Sequence, residues 1–290
     1  MRILSIGEIL WDVFDEGEHL GGAPFNFAAH AAQLGHEVYF LSAVGEDERG
    51  RRALARVREL GLTDRYISRL PGAPTGTVTV ELSSDGQPSF TIHRPAAYDL
   101  VDLSGEQLDC LAAARPDWIC FGTLHQMHPG ARRLTRRVLA AIPSARRFYD
   151  VNLRPDSYTP ELVRELLDTA SVVKLNDGEV TALGELLGLP VASLETFCLA
   201  NAERFGWQAV CVTRGADGCS LLLDDEYIEA PGLTVDVADT VGAGDAFSAA
   251  FLHGLGAGWP PAEIAAFANR VGAFVAGRPG AIPAWTPADL

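Results

Sequence analysis

A run of small residues that ends in an acid, Gly242-Ala-Gly-Asp245, has a composition suited to phosphate chemistry. The apolar stripe after it, Phe247, Phe251 and Leu255, predicts an amphipathic helix that begins at these glycines. The unpaired N–H groups and the positive dipole end of a helix start bind anions, and small residues let a phosphate approach the backbone closely. A carboxylate beside that phosphate would be repelled by it unless it took a proton from an attacking hydroxyl. The segment therefore could bind a transferring phosphate and deprotonate an alcohol.

A purely structural interpretation of this segment stays open. Leu233, Val235 and Val237 alternate with polar residues, which predicts a strand before the glycines. The glycines would then form a tight strand-to-helix turn, and the acid after them would be a favourable first-turn residue. Taken alone, the segment does not decide between the two interpretations.

Two other nucleotide-binding patterns are missing from the chain. There is no GxxxxGK followed by Ser or Thr, which argues against a P-loop enzyme, and no GxGxxG. The run Gly254-Leu-Gly-Ala-Gly258 lacks the glycine at the third position and follows a predicted helix. A Rossmann-type oxidoreductase therefore loses its main support.

Charge and hydropathy argue against several classes of protein. The 290 residues suffice for one large domain, and a hydrophobic content of 48% is ordinary for a folded enzyme. The formal net charge of -15 argues against a nucleic-acid partner, because binding to phosphate backbones needs clustered Lys and Arg. Glu8 and Asp12 interrupt the first apolar stretch, and no apolar run approaches the roughly 20 residues that span a membrane. We therefore expect a cytoplasmic protein with no membrane partner and with reduced cysteines.

Strand-like and helix-like segments alternate along most of the chain. Short apolar strands are predicted at residues 3–6, 37–44, 118–121, 147–151, 172–175, 209–213 and 220–223. Helices are predicted at residues 26–34, 50–60, 161–169 and 194–205. This alternation is typical of a mainly parallel sheet wrapped by helices.

Residues 76–94 break this rhythm, because two strand-like runs follow each other with no helix between them. Thr77 to Leu82 and Ser89 to His93 are the predicted strands, and Asp85-Gly86 lies within their connection. Such a hairpin could be an edge of the main sheet or a separate lid. We favour the lid, partly because of the resemblance described next.

The motifs together resemble those of the ribokinase-like (PfkB) family of carbohydrate kinases. Asp239 to Phe251 matches the family's C-terminal signature, and Gly21-Gly-Ala-Pro-Phe-Asn26 matches its N-terminal signature. Further matches, in the family's order, are Val44 to Gly50, Asn176 to Glu179 and Thr213 to Gly218. The resemblance implies a three-layer α/β/α fold with a central mainly parallel sheet. It also implies a single kinase domain over residues 1–290, with a small β lid formed from about 12–20 and 76–98.

For the reacting centre, the resemblance implies that Asp245 is the general base on the sugar hydroxyl. It also implies that the backbone N–H groups of Gly242, Ala243 and Gly244 form the anion hole for the γ-phosphate.

For the sugar, the resemblance implies that Asp12 and Asn26 bind hydroxyl groups and that Gly22 lets the sugar lie against the backbone. Two plainer interpretations stay open, since Asp12 could be a solvated loop acid and Asn26 a simple helix cap.

The resemblance further implies a site for ATP and metal ions. Asn176 and Glu179 would help to hold Mg²⁺, largely through water, and Asn176 would bind the nucleotide by positioning its phosphates. A helix N-cap with a first-turn Glu gives the same pattern. The residues expected along the nucleotide are Thr213, Gly215, Gly218 and, near the adenine, Asn269. A monovalent cation such as K⁺ would bind at Asp239, the carbonyl of Val241 and the Gly280-Ala281 loop, as in some members.

The identity of the sugar is less constrained by these motifs. Segments that resemble bacterial fructokinases are Gly21 to Pro24, Phe121 to Thr123, Asp150 to Pro155, Lys174 to Asn176 and Ser89 to Arg94. Arg154 could reach the γ-phosphate or the substrate, or form a surface salt bridge. Arg94 would lie where the lid meets the sugar, and a lid arginine in relatives can favour acidic sugars. Phe25 and Phe27 are larger than the residues expected around Asn26.

The leading hypothesis is an ATP-dependent kinase that converts D-fructose to fructose 6-phosphate. The rivals within the family are a 2-keto-3-deoxygluconate kinase and a kinase for another sugar or a nucleoside. A sugar-binding regulator without catalysis is the rival from another class. An exposed lid hairpin also makes a homodimer through the lid an expectation.

Overall fold

Short apolar runs form the strands of two β-sheets. The computed structural model describes residues 1–82 and 88–290. Its strands are β1 (Arg2–Ile6), β2 (Leu10–Phe14), β3 (Gly17–Gly21), β4 (Glu37–Gly45), β5 (Ile67–Leu70), β6 (Gly76–Leu82), β7 (Pro88–His93), β8 (Trp118–Gly122), β9 (Arg146–Asp150), β10 (Val172–Asn176), β11 (Ala209–Thr213), β12 (Cys219–Leu223) and β13 (Glu226–Ala230).

Amphipathic segments with capping residues form the helices between these strands. Asp47, Ser104, Thr159 and Ser193 each accept a backbone hydrogen bond as the N-cap of a helix. The helices are α1 (Ala23–Gln33), α2 (Glu48–Glu59), α3 (Gly105–Ala113), α4 (Thr123–Gln126), α5 (Pro129–Ala141), α6 (Pro160–Thr169), α7 (Asp177–Leu187), α8 (Leu194–Phe205), α9 (Ala243–Ala257) and α10 (Pro261–Ala276).

The main sheet has nine strands in the order β13-β12-β11-β10-β9-β8-β1-β4-β5. The strands from β5 to β11 in this order are parallel, and β12 and β13 extend the sheet with antiparallel pairs at one edge. All carboxyl ends of the parallel strands therefore meet at one edge of the sheet, which is where α/β enzymes place their ligands.

Helices cover both faces of the main sheet, because its strands are apolar on both sides. Alternate strand residues belong to two separate cores, as Phe148 and Tyr149 of β9 illustrate. One core contains residues of α1, α2, α9 and α10, and the other contains residues of α3, α5, α6, α7 and α8. The predicted three-layer α/β/α fold with a mainly parallel sheet is thereby confirmed.

The second sheet has four strands in the order β3-β2-β6-β7. A small apolar core that includes Leu10, Val78 and Tyr98 packs beneath it. The hairpin of β6 and β7 thus lies in a separate small sheet and not at an edge of the main one. Asp85 and Gly86, predicted within its connection, lie outside the described residues.

The strand predicted from Leu233, Val235 and Val237 is wrong. Residues 231–242 are irregular, and these three side chains are 45%, 37% and 63% exposed. No neighbouring strand pairs with this segment among the described residues. An alternating pattern predicts a strand only where a sheet edge is there to receive its N–H and C=O groups.

No helix in the described part of the chain is both long and apolar enough to pass through a membrane.

Candidate active site

Polar side chains gather where the parallel strands end. Asp150 ends β9, Asn176 ends β10 and Thr213 ends β11, and Asn176 pairs directly with Thr213 in the sheet. Glu8 follows β1 by two residues at the same edge. The strand register therefore assembles residues that are far apart in the sequence.

The helix α9 begins at the predicted phosphate turn. Gly242 is its N-cap, with a left-handed φ of 80° that favours glycine. The first N–H groups of a helix lack intrahelical acceptors. In α9, the Ala243 N–H donates a long hydrogen bond of 3.3 Å to the Thr240 carbonyl oxygen, which lies before the helix. The glycine turn thus places donor groups and the positive dipole end beside Asp245, which lies in the first turn of α9.

Asp245 contacts Asn26 across the interface between α9 and α1. The Asn26 side-chain amide donates a 2.8 Å hydrogen bond to Asp245 Oδ2. Burial raises the pKa of Asp245 to about 6, although the Asn26 hydrogen bond works in the opposite direction. Asn26 lies within α1 and its N-cap is Gly22, so the interpretation of Asn26 as a simple cap is wrong. The structure brings this predicted base and predicted sugar ligand into direct contact.

A buried lysine lies next to the glycine turn. Lys174 Nζ lies 3.3 Å from both carboxylate oxygens of Asp150 and 3.6 Å from the position that a Cβ on Gly244 would take. Burial opposes its charged form, but the surrounding carboxylates, Asp150 first, outweigh this and raise the Lys174 pKa. Ser248 Oγ is 2.8 Å from Asp150 Oδ2 and holds that carboxylate. A positive charge is thereby fixed beside the predicted anion hole.

Gly22 and Asp12 form the side of the site nearest the small sheet. Gly22 has a φ of 112°, and a Cβ there would approach the Glu8 carbonyl oxygen to 2.5 Å, so only glycine fits. Asp12 lies in β2, opposite His19 of β3, and is not a solvated loop acid. Burial raises the pKa of Asp12 to about 6, while the charge of Arg154 lowers it.

Arg154 is the exposed cation of the site. Its charge also lowers the pKa values of Glu8 and Asp245, which places all three carboxyl groups within its electrostatic reach. No ion pair joins it to another group of residues 1–82 and 88–290, so the salt-bridge interpretation gains no support.

Arg94 is held by groups of the protein itself. Its guanidinium forms a two-point ion pair with the fully buried Asp99 carboxylate, with Nε 3.1 Å from Oδ2. Nη1 donates a 3.0 Å hydrogen bond to the Leu124 carbonyl oxygen. Arg94 is therefore less free to bind an acidic sugar than its place in the sequence suggested.

A cavity opens between α1 and the ends of β1, β8 and β9. Its polar lining includes Glu8, Thr123, Asp150 and Asn152, and its apolar lining includes Phe27. Phe27 stacks on Phe148 with ring centroids 5.9 Å apart and so forms one wall. Phe25, by contrast, points away into the core against Phe40.

Asn176 and Glu179 form a capping box at the start of α7. Asn176 Oδ1 accepts from the Glu179 N–H, and Glu179 Oε2 accepts from the Asn176 N–H, both at 2.8 Å. The other Glu179 oxygen accepts a 2.8 Å hydrogen bond from the Leu153 N–H. Burial raises the Glu179 pKa, against the opposing charge of Lys174. The capping interpretation therefore holds for Asn176 and Glu179. A cation that binds the Glu179 carboxylate would share its oxygens with the backbone N–H groups of Asn176 and Leu153.

The residues expected along the nucleotide gather at the end of β11. A Cβ on Gly218 would come within 2.2 Å of the Ala230 carbonyl oxygen, so this turn packs directly on the chain that follows β13. Asn269 of α10 donates a 3.0 Å hydrogen bond to the Pro231 carbonyl oxygen of the same segment. Thr213 and Gly215 immediately precede the turn.

Asp239 joins the two loops of the expected monovalent-cation site. Its carboxylate accepts hydrogen bonds from the Val241 N–H at 2.9 Å and from the Gly280 N–H at 3.1 Å. The neighbouring Ala281 carbonyl oxygen accepts from His30 Nε2 at 2.9 Å. Because His30 Nδ1 accepts a 3.0 Å hydrogen bond from Trp285 Nε1, the proton of this neutral imidazole lies on Nε2.

Sequence reasoning misses four residues at this site. Glu8 stands out in the sequence only as an acid in an apolar stretch, and Asp150, Lys174 and Ser248 carry no expected role there. The available signal for Glu8 was its position directly after a strand that ends in glycine, since strand ends carry the site in such folds.

Comparison with known proteins places the chain among sugar kinases. A family model described as pfkB family carbohydrate kinase matches residues 7–288. The fructokinase of Klebsiella pneumoniae is 31% identical over 280 residues, covering 92% of this chain and 88% of that protein.

Solved structures agree with this match in fold. The Xylella fastidiosa fructokinase with bound ATP superimposes with a TM-score of 0.85 at 26% identity, covering 98% of this chain and 95% of the other. The 2-dehydro-3-deoxygluconokinase of Thermotoga maritima has the same TM-score at 19% identity, covering 99% and 95% of the two chains, and at that identity it speaks to fold alone.

Proposed function

The chain belongs to the pfkB family of carbohydrate kinases and is an ATP-dependent sugar phosphotransferase, and from that premise we propose that it converts D-fructose to fructose 6-phosphate. One observation carries the proposal for the reacting centre. It is the Asp245 carboxyl, half-buried beside the glycine turn of α9 and hydrogen-bonded to Asn26. A base, an anion site and an alcohol ligand at one point are the parts that phosphoryl transfer to a hydroxyl needs.

Asp245 takes the proton from the primary hydroxyl during in-line attack. A pKa of about 6 keeps it ionised at neutral pH while leaving it basic enough to accept that proton. The Asn26 amide, 2.8 Å away, fixes the orientation of the carboxylate. Asp12 and Asn26 position the sugar, and Gly22 lets it lie against the backbone.

The N–H groups of Gly242, Ala243 and Gly244 stabilise the charge on the transferring phosphoryl group. Lys174, whose ammonium lies beside Gly244, adds a fixed positive charge. Arg154 is exposed and free to meet either the phosphate or the sugar. Thr213, Gly215, Gly218 and Asn269 line the nucleotide.

The oxygen donors at Glu179 fit a magnesium ion bound mainly through water. Both oxygens of its carboxylate already accept backbone hydrogen bonds, and Mg²⁺ keeps several of its waters in protein sites. When bound, such an ion neutralises charge on the β- and γ-phosphates.

We keep K⁺ at Asp239, the Val241 carbonyl and the Gly280-Ala281 loop as a further prediction. A lid formed from about 12–20 and 76–98, a homodimer through it and a cytoplasmic location also stay predictions.

A substrate panel tests the choice of sugar. ADP formation from ATP is measured with D-fructose, 2-keto-3-deoxygluconate, D-ribose and adenosine as acceptors. We expect the highest kcat/KM with D-fructose, because the Klebsiella pneumoniae fructokinase is 31% identical to this chain. Arg94, the side chain that could favour a sugar acid, is already paired with Asp99. A higher kcat/KM with 2-keto-3-deoxygluconate would replace fructose by that acid. Sugar binding without ADP formation would instead support the non-catalytic regulator.

A further inference from the structure

His30 is a buried polar side chain on α1 for which the proposed reaction has no role so far. It is fully buried, as are the two alanines that flank it, Ala29 and Ala31. An apolar residue would fill such a position without the cost of burying an imidazole, whose ring nitrogens need hydrogen-bond partners. Both nitrogens have one, because Nε2 donates to the Ala281 carbonyl oxygen at 2.9 Å and Nδ1 accepts from Trp285 Nε1 at 3.0 Å.

The carbonyl oxygen that His30 binds also contacts the glycine turn of α9. A Cβ on Gly242 would lie 2.4 Å from this Ala281 oxygen and 2.7 Å from the Ala281 Cα. Gly242 is the N-cap of α9, so the oxygen lies between the His30 ring and the start of that helix. The His30 N–H group therefore fixes a backbone group against which the glycine turn packs.

The glycine turn lies between irregular segments of the chain. Residues 231–242 before it form no strand or helix and are mostly exposed. The Asp239 carboxylate accepts from the Val241 N–H and the Gly280 N–H, so it joins this segment to the irregular loop that follows α10. The His30 hydrogen bond attaches that loop to α1, which is a regular helix with a buried face.

The same face of α1 also contacts the predicted base. Asn26 precedes His30 by four residues, which is about one helical turn, so both side chains project from one face. The Asn26 amide donates a 2.8 Å hydrogen bond to Asp245 Oδ2, while His30 binds Ala281. In-line transfer needs the base and the anion site at a fixed separation. The helix α1 is thus a common support for both.

We propose that His30 is a positioning residue for phosphoryl transfer, whose Nε2–H group holds the Ala281 loop so that the N–H groups of the glycine turn stay aligned with Asp245. Trp285 orients the ring by donating to Nδ1, which leaves the proton on Nε2. This inference rests on the proposed function in one respect, namely that the N–H groups of residues 242–244 form the anion hole. Because His30 acts through Ala281, its loss should change kcat more than KM.

The test compares His30→Leu and His30→Gln with the wild type, using the sugar that the wild type phosphorylates best. Leu fills most of the same space but has no N–H group. We expect its kcat to fall about tenfold, because small displacements of reacting groups are costly, with KM for sugar and for ATP within about threefold of wild type. The Gln amide can donate to the Ala281 carbonyl oxygen, so His30→Gln should recover kcat to within about threefold of wild type.

His125 offers a matched control. It is also fully buried, its Nε2 hydrogen-bonds the Tyr98 carbonyl oxygen at 3.0 Å, and its Nδ1 lies 3.3 Å from Gln126 Nε2. His125→Leu thus removes a similar pair of hydrogen bonds that involves neither α1 nor α9. We expect a loss of Tm comparable to that of His30→Leu, with kcat unchanged.

A double variant tests whether His30 acts through the glycine turn. If it does, His30→Leu combined with Gly242→Ala should have a kcat no more than about threefold below that of the slower single variant. Independent effects would multiply instead. Should His30→Leu fail to fold, as judged by circular dichroism, Trp285→Phe removes the N–H group that orients the ring and should lower kcat roughly threefold.

Wild-type kcat in the folded His30→Leu or Trp285→Phe variant, with kcat lowered in Gly242→Ala, would overturn the inference and leave the proposed function intact. Equal losses of kcat in His30→Leu and His125→Leu, or fully multiplicative losses in the double variant, would also overturn it. Wild-type kcat in Gly242→Ala itself would defeat the assigned anion hole and the inference together. A wild type that prefers another sugar would defeat the fructose proposal alone, since the same variants are then measured with that sugar.

Discussion

At the scale of single residues, the account depends on Asp245. Its carboxyl is next to donor groups that would bind phosphate, and it is oriented by one hydrogen bond from Asn26. Loss of solvent raises the pKa of Asp245 to about 6, which means that its charged form is destabilised. An acid that served only to stabilise the start of the helix would be more favourable in a solvent-exposed position. The energetic cost of this placement is a sign of chemical use.

Asp245→Asn should remove most of the turnover. The amide has the same shape and can still accept the Asn26 hydrogen bond, but it cannot take a proton. We expect kcat to fall by about 10²–10⁴ with the sugar Kd within a few-fold of wild type. Steady-state ADP formation measures the first quantity, and calorimetric titration of sugar measures the second. Near-wild-type kcat would show that another group is the base.

At the scale of elements, the site depends on where α1 and α9 begin. Gly22 precedes α1 and packs on Glu8, and Gly242 precedes α9 and packs on Ala281. Both glycines have a positive φ and both contact backbone atoms, so each fixes a helix start against a neighbouring loop. His30 and Trp285 support the Ala281 loop from the other side.

The two ends of α9 offer a matched pair of variants. Gly242 and Gly258 have φ values of 80° and 70°, but a Cβ on Gly242 would lie 2.4 Å from the Ala281 carbonyl oxygen, whereas Gly258 faces open space. Gly258→Ala should cost about 1 kcal/mol through backbone strain alone. Gly242→Ala should cost more and lower kcat at least about tenfold, because the anion site is displaced. Equal losses of Tm with unchanged kcat would argue against a tightly held anion site.

Regular elements were predictable from the sequence where the local pattern and the final packing agree. The helix predicted at residues 194–205 is observed as α8 over the same residues, because Ser193 caps it and Gly206 ends it. The run from Leu233 to Val237 has a strand pattern but no strand to pair with. The burial of Glu8 could not be predicted from the local sequence, because it depends on contacts with residues distant in sequence. The motifs located the reacting centre, while the partners of Arg94 and Glu179 required three-dimensional packing.

At the scale of the whole molecule, the buried Glu8 and the half-buried Asp12 and Asp245 reduce stability at neutral pH. Burial raises the pKa values of Glu8 to about 7 and of Asp12 and Asp245 to about 6. Each folded-state pKa lies above the unfolded one, so the stabilisation from protonation is complete below about pH 4 and is lost as pH rises through 6 to 7. The protein thus keeps ionised acids at its site although they lower the free energy of unfolding.

Asp245→Asn should therefore be more stable than the wild type at pH 8, and this gain should shrink toward pH 5. Removing the half-buried charge should add about 1 kcal/mol, which corresponds to roughly 2–4 °C in Tm. Thermal unfolding of both proteins at pH 5 and pH 8 measures the difference, with Glu203→Gln as the exposed control. A variant less stable than wild type at pH 8 would contradict the assigned burial cost.

Identification of the product from ATP and D-fructose tests the central claim most directly. The purified wild type is incubated with both substrates and Mg²⁺, and ADP and sugar phosphate are quantified together by phosphorus NMR. The account predicts fructose 6-phosphate in a one-to-one ratio with ADP, and at least about a hundredfold slower formation of both with Asp245→Asn. The absence of fructose-dependent ADP formation, or a phosphate on a hydroxyl other than the primary one at C6, would contradict it.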